Sequence, residues 1–284
     1  MDDVIIIGCG VTGAAMAYTL SQYRLQVTVL EQHSDVAVGT TKANSAIIHA
    51  GYDPHPGTLM AKLNVEGNRL AGEICEKLTV PFRRVGSMVL ALSEADLPHI
   101  EELYRRGVAN GVPGIELLSR EETLRREPKL SDEVRGSLWA PSTGIIVPWE
   151  YATAMAETAV VNGVRLHLDT KVEAIEPLEE GFRVRTSQGE FTARFLVSAA
   201  GVSAGAVRGM LEQPDYGIRP SRGEYYLLDR SEGQTVNCVV FQCPNENGKG
   251  VLVSPTIHGN LLVGPDAVPT DEPENCGVTA SGLA

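Results

Sequence analysis

Val4-Ile5-Ile6-Ile7-Gly8-Cys9-Gly10-Val11-Thr12-Gly13 is the stretch that decides the fold of this chain. Four β-branched apolar residues predict a buried parallel strand, and the glycine pattern follows it directly. In such a pattern Gly8 permits a tight turn, Gly10 lets a pyrophosphate approach the backbone, and Gly13 lets the next helix pack closely. That helix is expected over Ala14–Tyr23. The stretch therefore predicts the start of a βαβ unit that binds a dinucleotide.

A second apolar run, Val27–Leu30, ends at Glu31, as the same unit requires. An acid at this position accepts hydrogen bonds from an adenosine ribose, which argues against a ribose that carries a 2′-phosphate. We expect Gln32, the next residue, to bind the cofactor as well. At the other end of the site, the N–H groups of Val11 and Thr12 would face the phosphates.

Composition excludes several classes of partner. The chain has 284 residues, with 24 Lys and Arg against 36 Asp and Glu, so its net charge of −12 argues against nucleic acid or an anionic membrane. No apolar run reaches the ~18 to 20 residues of a membrane span. The 5 cysteines form no CxxC pair and no leader precedes the glycine motif, which favours a reducing, cytoplasmic location. The histidines show no metal-ligand spacing, so no metal is expected.

The rest of the chain alternates between helical and strand patterns. We predict helices over Thr58–Leu78, from a capping box at Ser93 to Asn110, after Ser119, and over Pro148–Asn162. We predict strands over Phe82–Leu92, Arg165–Leu168, Lys171–Ile175, Phe182–Thr186, Glu190–Ala193, Phe195–Ala199, Glu224–Leu228, Val236–Gln242, Gly250–Pro255 and Asn260–Val263. The run Phe195–Ala199 is expected to be a buried parallel strand. The fold class is therefore α/β, with a Rossmann-like parallel sheet and an interleaved, mostly antiparallel second domain.

Longer motifs carry a family resemblance. They are Thr41–Gly51 (TKANSAIIHAG), Ala61–Asn68 (AKLNVEGN), Pro220–Tyr226 (PSRGEYY), Gly250–Thr256 (GVLVSPT) and Gly264–Ala267 (GPDA). The chain resembles the FAD-dependent oxidoreductases of the D-amino-acid-oxidase superfamily, and within it the branch of glycerol-3-phosphate and L-2-hydroxyglutarate dehydrogenases. The resemblance implies FAD as the cofactor. It also implies a final glycine-rich turn and helix beyond position 284, so we expect the chain to be a C-terminally truncated fragment.

The resemblance assigns further residues to the flavin. Thr40, Thr41, Asn44 and Ser45 would contact the pyrophosphate and the isoalloxazine edge. The backbone of Val172 would meet the adenine, and Ala200 and Gly201 would form the small-residue turn beside the ribityl chain. Small residues are needed at these positions because a bulky side chain would hold the cofactor away from the backbone.

The reaction that the resemblance implies is removal of a hydride from a carbon that carries a hydroxyl or an amine, with the flavin as acceptor. His49 is the candidate base for a hydroxyl proton, or else a residue that only positions the flavin or a water. Arg222, and less so Arg219, could hold a carboxylate or phosphate, or could pair with a surface acid. Lys249, in a glycine-flanked loop, is a further possible donor to an anionic substrate, although that loop could equally be a plain hairpin turn.

We expect two discontinuous domains: an FAD-binding domain over 1–80 and 141–215, and a substrate domain over 81–140 and 216–284. The expected substrate is a small, anionic hydroxy compound such as glycerol 3-phosphate or a 2-hydroxy acid. An amine or amino-acid oxidase and a non-catalytic dinucleotide-binding fragment are the alternatives. The sequence leaves the electron acceptor and the oligomeric state open.

Overall fold

The structure, a computed structural model, describes residues 1–213, 217–244 and 250–282. Lys249, named above as a possible anion donor, lies outside the described residues. The chain divides into two compact units. Unit 1 contains Met1–Asn44, Pro148–Ser221 and Pro269–Cys276, and unit 2 contains Ser45–Val147, Arg222–Val268 and Gly277–Ala284.

Unit 1 is built on a six-stranded sheet. In chain order its strands are β1 (Asp2–Ile7), β2 (Val27–Leu30), β9 (Arg165–His167), β10 (Val172–Pro177), β11 (Phe182–Thr186) and β12 (Gly189–Ser198). The order across the sheet is β10-β11-β12-β1-β2-β9. Strands β12, β1, β2 and β9 are parallel, whereas β10, β11 and β12 are antiparallel neighbours. The predicted βαβ unit and its parallel sheet are confirmed.

Three helices belong to unit 1: α1 (Val11–Leu20), α5 (Pro148–Val161) and α6 (Ala204–Gly209). Helix α1 packs against α5, and its small residues Gly13, Ala14 and Ala17 are buried. The buried core of the unit is formed by β-branched and leucine side chains of the sheet with Val207 of α6. The sequence therefore builds a parallel sheet whose first helix lies close to the strand that precedes it.

Unit 2 contains a seven-stranded and a three-stranded sheet. Its strands are β3 (Ile47–Ile48), β4 (Phe82–Arg84), β5 (Ser87–Ala91), β6 (Glu116–Ser119), β7 (Gly136–Ala140), β8 (Gly144–Ile146), β14 (Tyr226–Leu228), β15 (Val239–Gln242), β16 (Leu252–Pro255) and β17 (Leu261–Gly264). The sheets have the orders β14-β17-β16-β15-β5-β7-β6 and β3-β8-β4. Only β15 and β5 pair in parallel among these strands, so the predicted antiparallel character is confirmed. Two short strands, β13 (Ser221–Arg222) and β18 (Val268–Pro269), stand where the chain passes between the units.

The helices of unit 2 are α2 (Leu59–Leu78), α3 (Leu97–Asn110) and α4 (Arg120–Arg126). The Thr58 hydroxyl caps α2 by accepting from the Ala61 N–H at 3.2 Å. The predicted capping box at Ser93 is present, since the Asp96 carboxylate accepts from the Ser93 N–H at 2.8 Å. A second capping box is found at Ser119, where the Glu122 carboxylate accepts from the Ser119 N–H at 2.9 Å. These local signals located the helix starts because a cap satisfies N–H groups that no helical partner can reach.

Three sequence predictions need correction. The first helix runs over Val11–Leu20, three residues earlier than predicted at each end. The strand predicted over Phe82–Leu92 is two strands, β4 and β5, because Gly86 has a φ of +74° and packs against the Trp139 ring. The strands predicted over 190–193 and 195–199 are the single strand β12, and Phe195 is 60% exposed rather than buried.

The division of the chain also differs from the predicted boundaries. Residues 45–80, which we placed with 1–44, lie in unit 2. The physical reason is that β3 pairs with β8 in the three-stranded sheet of unit 2. Helix α2 contacts β4 of the same sheet, and its Asn68 side chain donates to the Ser142 carbonyl. Residues 141–147 lie in unit 2 as well, since they include β8. No helix in the described ranges is long and apolar enough to cross a membrane.

Candidate functional site

The glycine-rich turn of unit 1 joins β1 to α1. Gly8 has a φ of +95°, and a Cβ there would lie 2.7 Å from the Ala199 carbonyl oxygen. A Cβ at Gly13 would overlap the Gly8 carbonyl oxygen and lie 3.0 Å from its carbonyl carbon. The turn therefore depends on the absence of side chains, which brings β1, the first turn of α1 and Ala199 close together.

The N-terminus of α1 keeps two N–H groups available. The Thr41 hydroxyl accepts from the Val11 N–H at 2.9 Å, and the Gly10 carbonyl accepts from the Ala14 N–H at 2.9 Å. Within the described ranges, the Thr12 and Gly13 N–H groups have no hydrogen-bond partner. Unpaired N–H groups at a helix N-terminus form an anion site. Of the two predicted phosphate donors, the Thr12 N–H can serve directly, whereas the Val11 N–H is already engaged by Thr41. The Gly13 N–H is a donor that was not predicted from the sequence.

Glu31 lies against the same turn. Its carboxylate is buried and accepts from the Cys9 N–H at 2.7 Å and from the His33 N–H at 3.0 Å. These two contacts orient the Glu31 side chain. Each carboxylate oxygen can still accept a further hydrogen bond, for example from a ribose hydroxyl. Gln32 is exposed beside it, with its amide nitrogen 3.1 Å from His33 Nε2.

Burial, with smaller contributions from the nearby charges of Glu31 and Asp35, raises the pKa of the Cys9 thiol to about 12. Cys9 is therefore a neutral packing residue in the folded chain, in agreement with its small size within the turn.

The predicted pyrophosphate loop forms a short 3₁₀ helix over Thr40–Lys42. The Asn44 amide donates to the Thr40 carbonyl at 3.1 Å and to the Thr41 carbonyl at 2.7 Å. A Cβ at Gly10 would lie 3.0 Å from the Thr41 hydroxyl. Thr41 is thus brought to the glycine-rich turn as predicted, while Asn44 holds the loop in its conformation.

The remaining cofactor candidates lie elsewhere in unit 1. Val172 is buried at the start of β10, next to a register shift in its pairing with β11. Ala200 is close to Gly8, since a Cβ on Gly8 would lie 3.2 Å from the Ala200 Cα atom. Gly201 has a φ of +56° and faces open space. The structure therefore gathers Gly8, Gly10, Gly13 and Ala200 in one place.

These features fit a dinucleotide. Three glycine positions leave no room for side chains, two helix N–H groups are unpaired, and a buried carboxylate stands at the end of β2. A nucleotide with two phosphates and a ribose needs this combination.

The other candidates lie in unit 2, and His49 follows β3 directly. Its side chain is exposed, and its ring is stacked on Phe241 with the centroids 6.0 Å apart and an angle of 26° between the planes. The buried Asn68 amide donates to the His49 carbonyl at 3.0 Å. The imidazole is thus presented to solvent from a fixed backbone, as a proton acceptor for a substrate must be.

Ser45 is hydrogen bonded to Tyr225, with the two hydroxyl oxygens 2.6 Å apart. Burial raises the pKa of the Tyr225 phenol, so the tyrosine remains neutral at physiological pH. This hydrogen bond joins Ser45, which precedes His49 in the chain, to Tyr225, which follows Arg222. No sequence pattern indicated this contact, because the two residues are 180 positions apart.

Arg222 faces an acid, Glu224. Its Nε atom is 3.2 Å from Glu224 Oε1, and the exposed fractions of the two side chains are 17% and 3%. The Thr279 N–H donates to Glu224 Oε2 at 2.8 Å and the Thr279 hydroxyl to Oε1 at 2.9 Å. The Thr279 backbone N–H is the largest favourable contact that lowers the pKa of Glu224, and its hydroxyl and Arg222 add to it against the cost of burial.

Glu224 therefore forms an ion pair on the Nε side of the Arg222 guanidinium, although the buried Nε makes no hydrogen bond with a described residue. In the part of the chain that the structure describes, the two Nη atoms have no hydrogen-bond partner. Arg219 is exposed and belongs to unit 1. The described residues contain no group of three or more metal-ligating side chains.

Comparison with known proteins supplies the family. The profile described as "FAD dependent oxidoreductase" matches residues 3–283. The chain is 47% identical to a glycerol 3-phosphate dehydrogenase of Caloramator mitchellensis over 283 residues, which is 100% of this chain and 59% of that protein. It is 32% identical to an L-2-hydroxyglutarate dehydrogenase of Escherichia coli, covering 94% of this chain and 64% of the relative. The chain thus spans about three fifths of the length of these relatives.

A solved structure agrees with this assignment. The L-α-glycerophosphate oxidase of Mycoplasma pneumoniae, with FAD bound, superposes with a TM-score of 0.91 at 33% identity. The match covers 99% of this chain and 75% of that one. Because the family profile extends over nearly all of the sequence, the chain belongs to the family of FAD-dependent oxidoreductases.

Proposed function

We propose that this chain is the FAD-binding and substrate-oxidising part of a dehydrogenase or oxidase for a small anionic hydroxy compound, of which glycerol 3-phosphate is the first candidate. The observation that carries the proposal is His49, an exposed imidazole on an anchored backbone, in a chain of this family. The similarity to glycerol 3-phosphate and L-2-hydroxyglutarate enzymes supports a hydroxyl rather than an amine.

The proposed cofactor site is the glycine-rich turn of unit 1. The Thr12 and Gly13 N–H groups would hold the pyrophosphate, and Glu31 would accept from the ribose. Thr40, Thr41, Asn44, Ser45, Val172, Ala200 and Gly201 would complete the contacts. Bound FAD would supply an acceptor for the hydride.

The proposed base is His49. The C–H bond of the carbinol carbon breaks with its electron pair, and the hydroxyl proton moves to the imidazole, so that the substrate becomes a carbonyl compound. A neutral imidazole accepts this proton near pH 7. The Phe241 ring is stacked on the imidazole, with the ring centroids 6.0 Å apart.

The proposed anion contact is Arg222. Its Nη atoms are not hydrogen bonded to other described residues, and a guanidinium can grip a phosphate or carboxylate through two parallel hydrogen bonds. Glu224 orients the guanidinium and offsets part of its charge. A phosphate that arrives at Arg222 would therefore meet a positioned donor.

The test is the rate of flavin reduction by glycerol 3-phosphate, measured anaerobically in a stopped-flow instrument. His49→Gln should lower the limiting rate by about 10² to 10⁴, the range of general base catalysis, with little change in the apparent Kd. Arg222→Lys should mainly raise the apparent Kd, because an ammonium group cannot form the paired contact. An unchanged limiting rate in His49→Gln would contradict the assignment of the base.

We also propose a cytoplasmic location. All five cysteines are free, and four of them are buried, as is usual for proteins of a reducing compartment.

A further inference from the structure

Asn68 is a buried polar residue that the reaction scheme does not use, and its side chain contacts the backbone of the proposed base. It occupies the middle of α2 on the buried face that Ala61, Ala71 and Cys75 also share, and it is only 6% exposed. A buried amide on an otherwise small and apolar helix face costs free energy unless its hydrogen bonds are made. The hydrogen bonds of the Asn68 side chain therefore indicate its role.

Asn68 contacts three carbonyl groups. Its Nδ2 atom lies 3.0 Å from the His49 oxygen, 2.9 Å from the Ser142 oxygen and 3.4 Å from the Ile48 oxygen. An amide nitrogen has two hydrogens, so the two shorter contacts use both. The amide thus joins the backbone at His49 to the loop between β7 and β8.

This contact begins where the strand pairing ends. The β3–β8 pairing includes Ile47 and Ile48 and ends there, one residue before His49. Asn68 takes over at that residue. Because the peptide unit is planar, a held carbonyl group restrains the adjacent ψ angle and with it the direction of the Cα–Cβ bond.

Arg84 fixes the orientation of the Asn68 amide. Its Nη1 atom donates to Asn68 Oδ1 at 2.8 Å, and its Nη2 atom donates to the Asn68 backbone carbonyl at 3.0 Å. Nη1 also donates to the Ser142 carbonyl. A reversed amide would place its oxygen against two carbonyl oxygens and its NH₂ group against the guanidinium, so only one orientation satisfies every group.

We propose that Asn68, oriented by Arg84, is a positioning residue for the base: it holds the His49 backbone so that the imidazole meets the substrate hydroxyl. The inference rests on the proposed role of His49. It assigns to Asn68 no contact with substrate or cofactor, and all of its effect on the reaction passes through His49.

The first test measures the anchor itself and needs no bound cofactor. Hydrogen–deuterium exchange followed by mass spectrometry is compared for the 284-residue chain and for Asn68→Leu, which has a similar size and no donor. We expect faster exchange in the peptide over residues 46–52. Asn260→Leu is the matched control, because that amide donates to the Leu228 carbonyl at 3.0 Å and, among the described residues, forms no hydrogen bond with residues 46–52. Unchanged exchange over 46–52 in Asn68→Leu would overturn the proposal.

The second test is a double-mutant cycle on the limiting rate of flavin reduction by glycerol 3-phosphate. Asn68→Leu alone should lower this rate by about tenfold to a hundredfold, the effect of a small misplacement of a catalytic group, with less than about a threefold change in apparent Kd. In the His49→Gln background the same substitution should change the rate less than about twofold, because the group that it positions is already absent.

The outcomes separate the two claims. If His49→Gln reduces the flavin as fast as the unsubstituted chain, the proposed base is wrong, while the exchange experiment still decides the anchor. If His49→Gln is slow and Asn68→Leu slows it further by the same factor, Asn68 does not act through His49 and the inference is overturned. Should Asn68→Leu fail to fold, Arg84→Leu replaces it in both tests, because Arg84 is exposed. We expect Arg84→Leu to change the exchange and the rate in the same direction but less. No change in either measurement would overturn the proposal.

Discussion

Replacing Gly13 by alanine should disrupt both the fold of unit 1 and its affinity for FAD. The new Cβ would overlap the Gly8 carbonyl oxygen and lie 3.0 Å from the carbonyl carbon, a distance below which real Cβ atoms are essentially never found. Both groups belong to the backbone, so no side chain can rotate away, and α1 must move from β1. Overpacking of this kind costs about 1 to 3 kcal/mol.

The expected net change can be worked out with a matched control. Alanine gains about 0.5 to 1 kcal/mol over glycine within a helix. At Gly67, inside α2, a Cβ meets no atom within 4 Å, so Gly67→Ala should show that gain alone. Gly13→Ala should be destabilised by about 2 kcal/mol, because overpacking against two backbone groups lies at the upper end of its range.

The assay is urea denaturation of both variants together with FAD titration by fluorescence. The two variants should differ by roughly 3 kcal/mol, or about a hundredfold in the folded-to-unfolded ratio. The FAD Kd should rise at least about tenfold in Gly13→Ala only, because its shift of α1 displaces the Thr12 and Gly13 N–H groups. Equal stability and equal FAD affinity in the two variants would refute the reasoning.

Three further predictions concern other groups. Glu31→Gln should weaken FAD binding by about 1.5 to 3 kcal/mol, the contribution of a hydrogen bond to a charged group; isothermal titration that shows no loss would remove Glu31 from the site. In the native chain only Cys276 should react quickly with Ellman's reagent at pH 8, since the other four thiols are buried and the pKa of Cys9 is raised to about 12; a second fast thiol would contradict this. Glu224, whose pKa is lowered chiefly by the Thr279 N–H, stabilises the fold above the ordinary glutamate pKa of about 4.3 and loses that contribution as the pH falls through its lower folded value. Glu224→Gln should therefore lose less stability than the unsubstituted chain in denaturation curves between about pH 5 and pH 3, and parallel losses would contradict the assigned contacts.

The parts of the fold that follow from local physics were predictable. A β-branched run before a glycine turn specified β1 and the first turn of α1, and the capping residues Ser93 and Ser119 specified helix starts. Strand boundaries were less accessible, because they depend on partners distant in sequence. Strand β12 continues through the predicted break because its first half pairs with β11 and its second half with β1.

The candidate site was predictable in residue type but not in contacts. The sequence indicated His49 and Arg222, but the acid that faces Arg222 could not be chosen among 36 acidic residues. Asn68 carried a weak signal, namely a polar residue at the helical spacing of Ala61, Ala71 and Cys75. Its carbonyl partners are invisible in a sequence, because every residue has a carbonyl group.

The most direct test of the proposed function is anaerobic addition of glycerol 3-phosphate to the purified chain loaded with FAD. The absorbance of the oxidised flavin is followed after the addition, and His49→Gln is treated in the same way. The account predicts that the unsubstituted chain loses the absorbance of oxidised flavin, and that His49→Gln loses it at least about a hundredfold more slowly. A chain that binds FAD and is not reduced by glycerol 3-phosphate or by L-2-hydroxyglutarate would contradict the account.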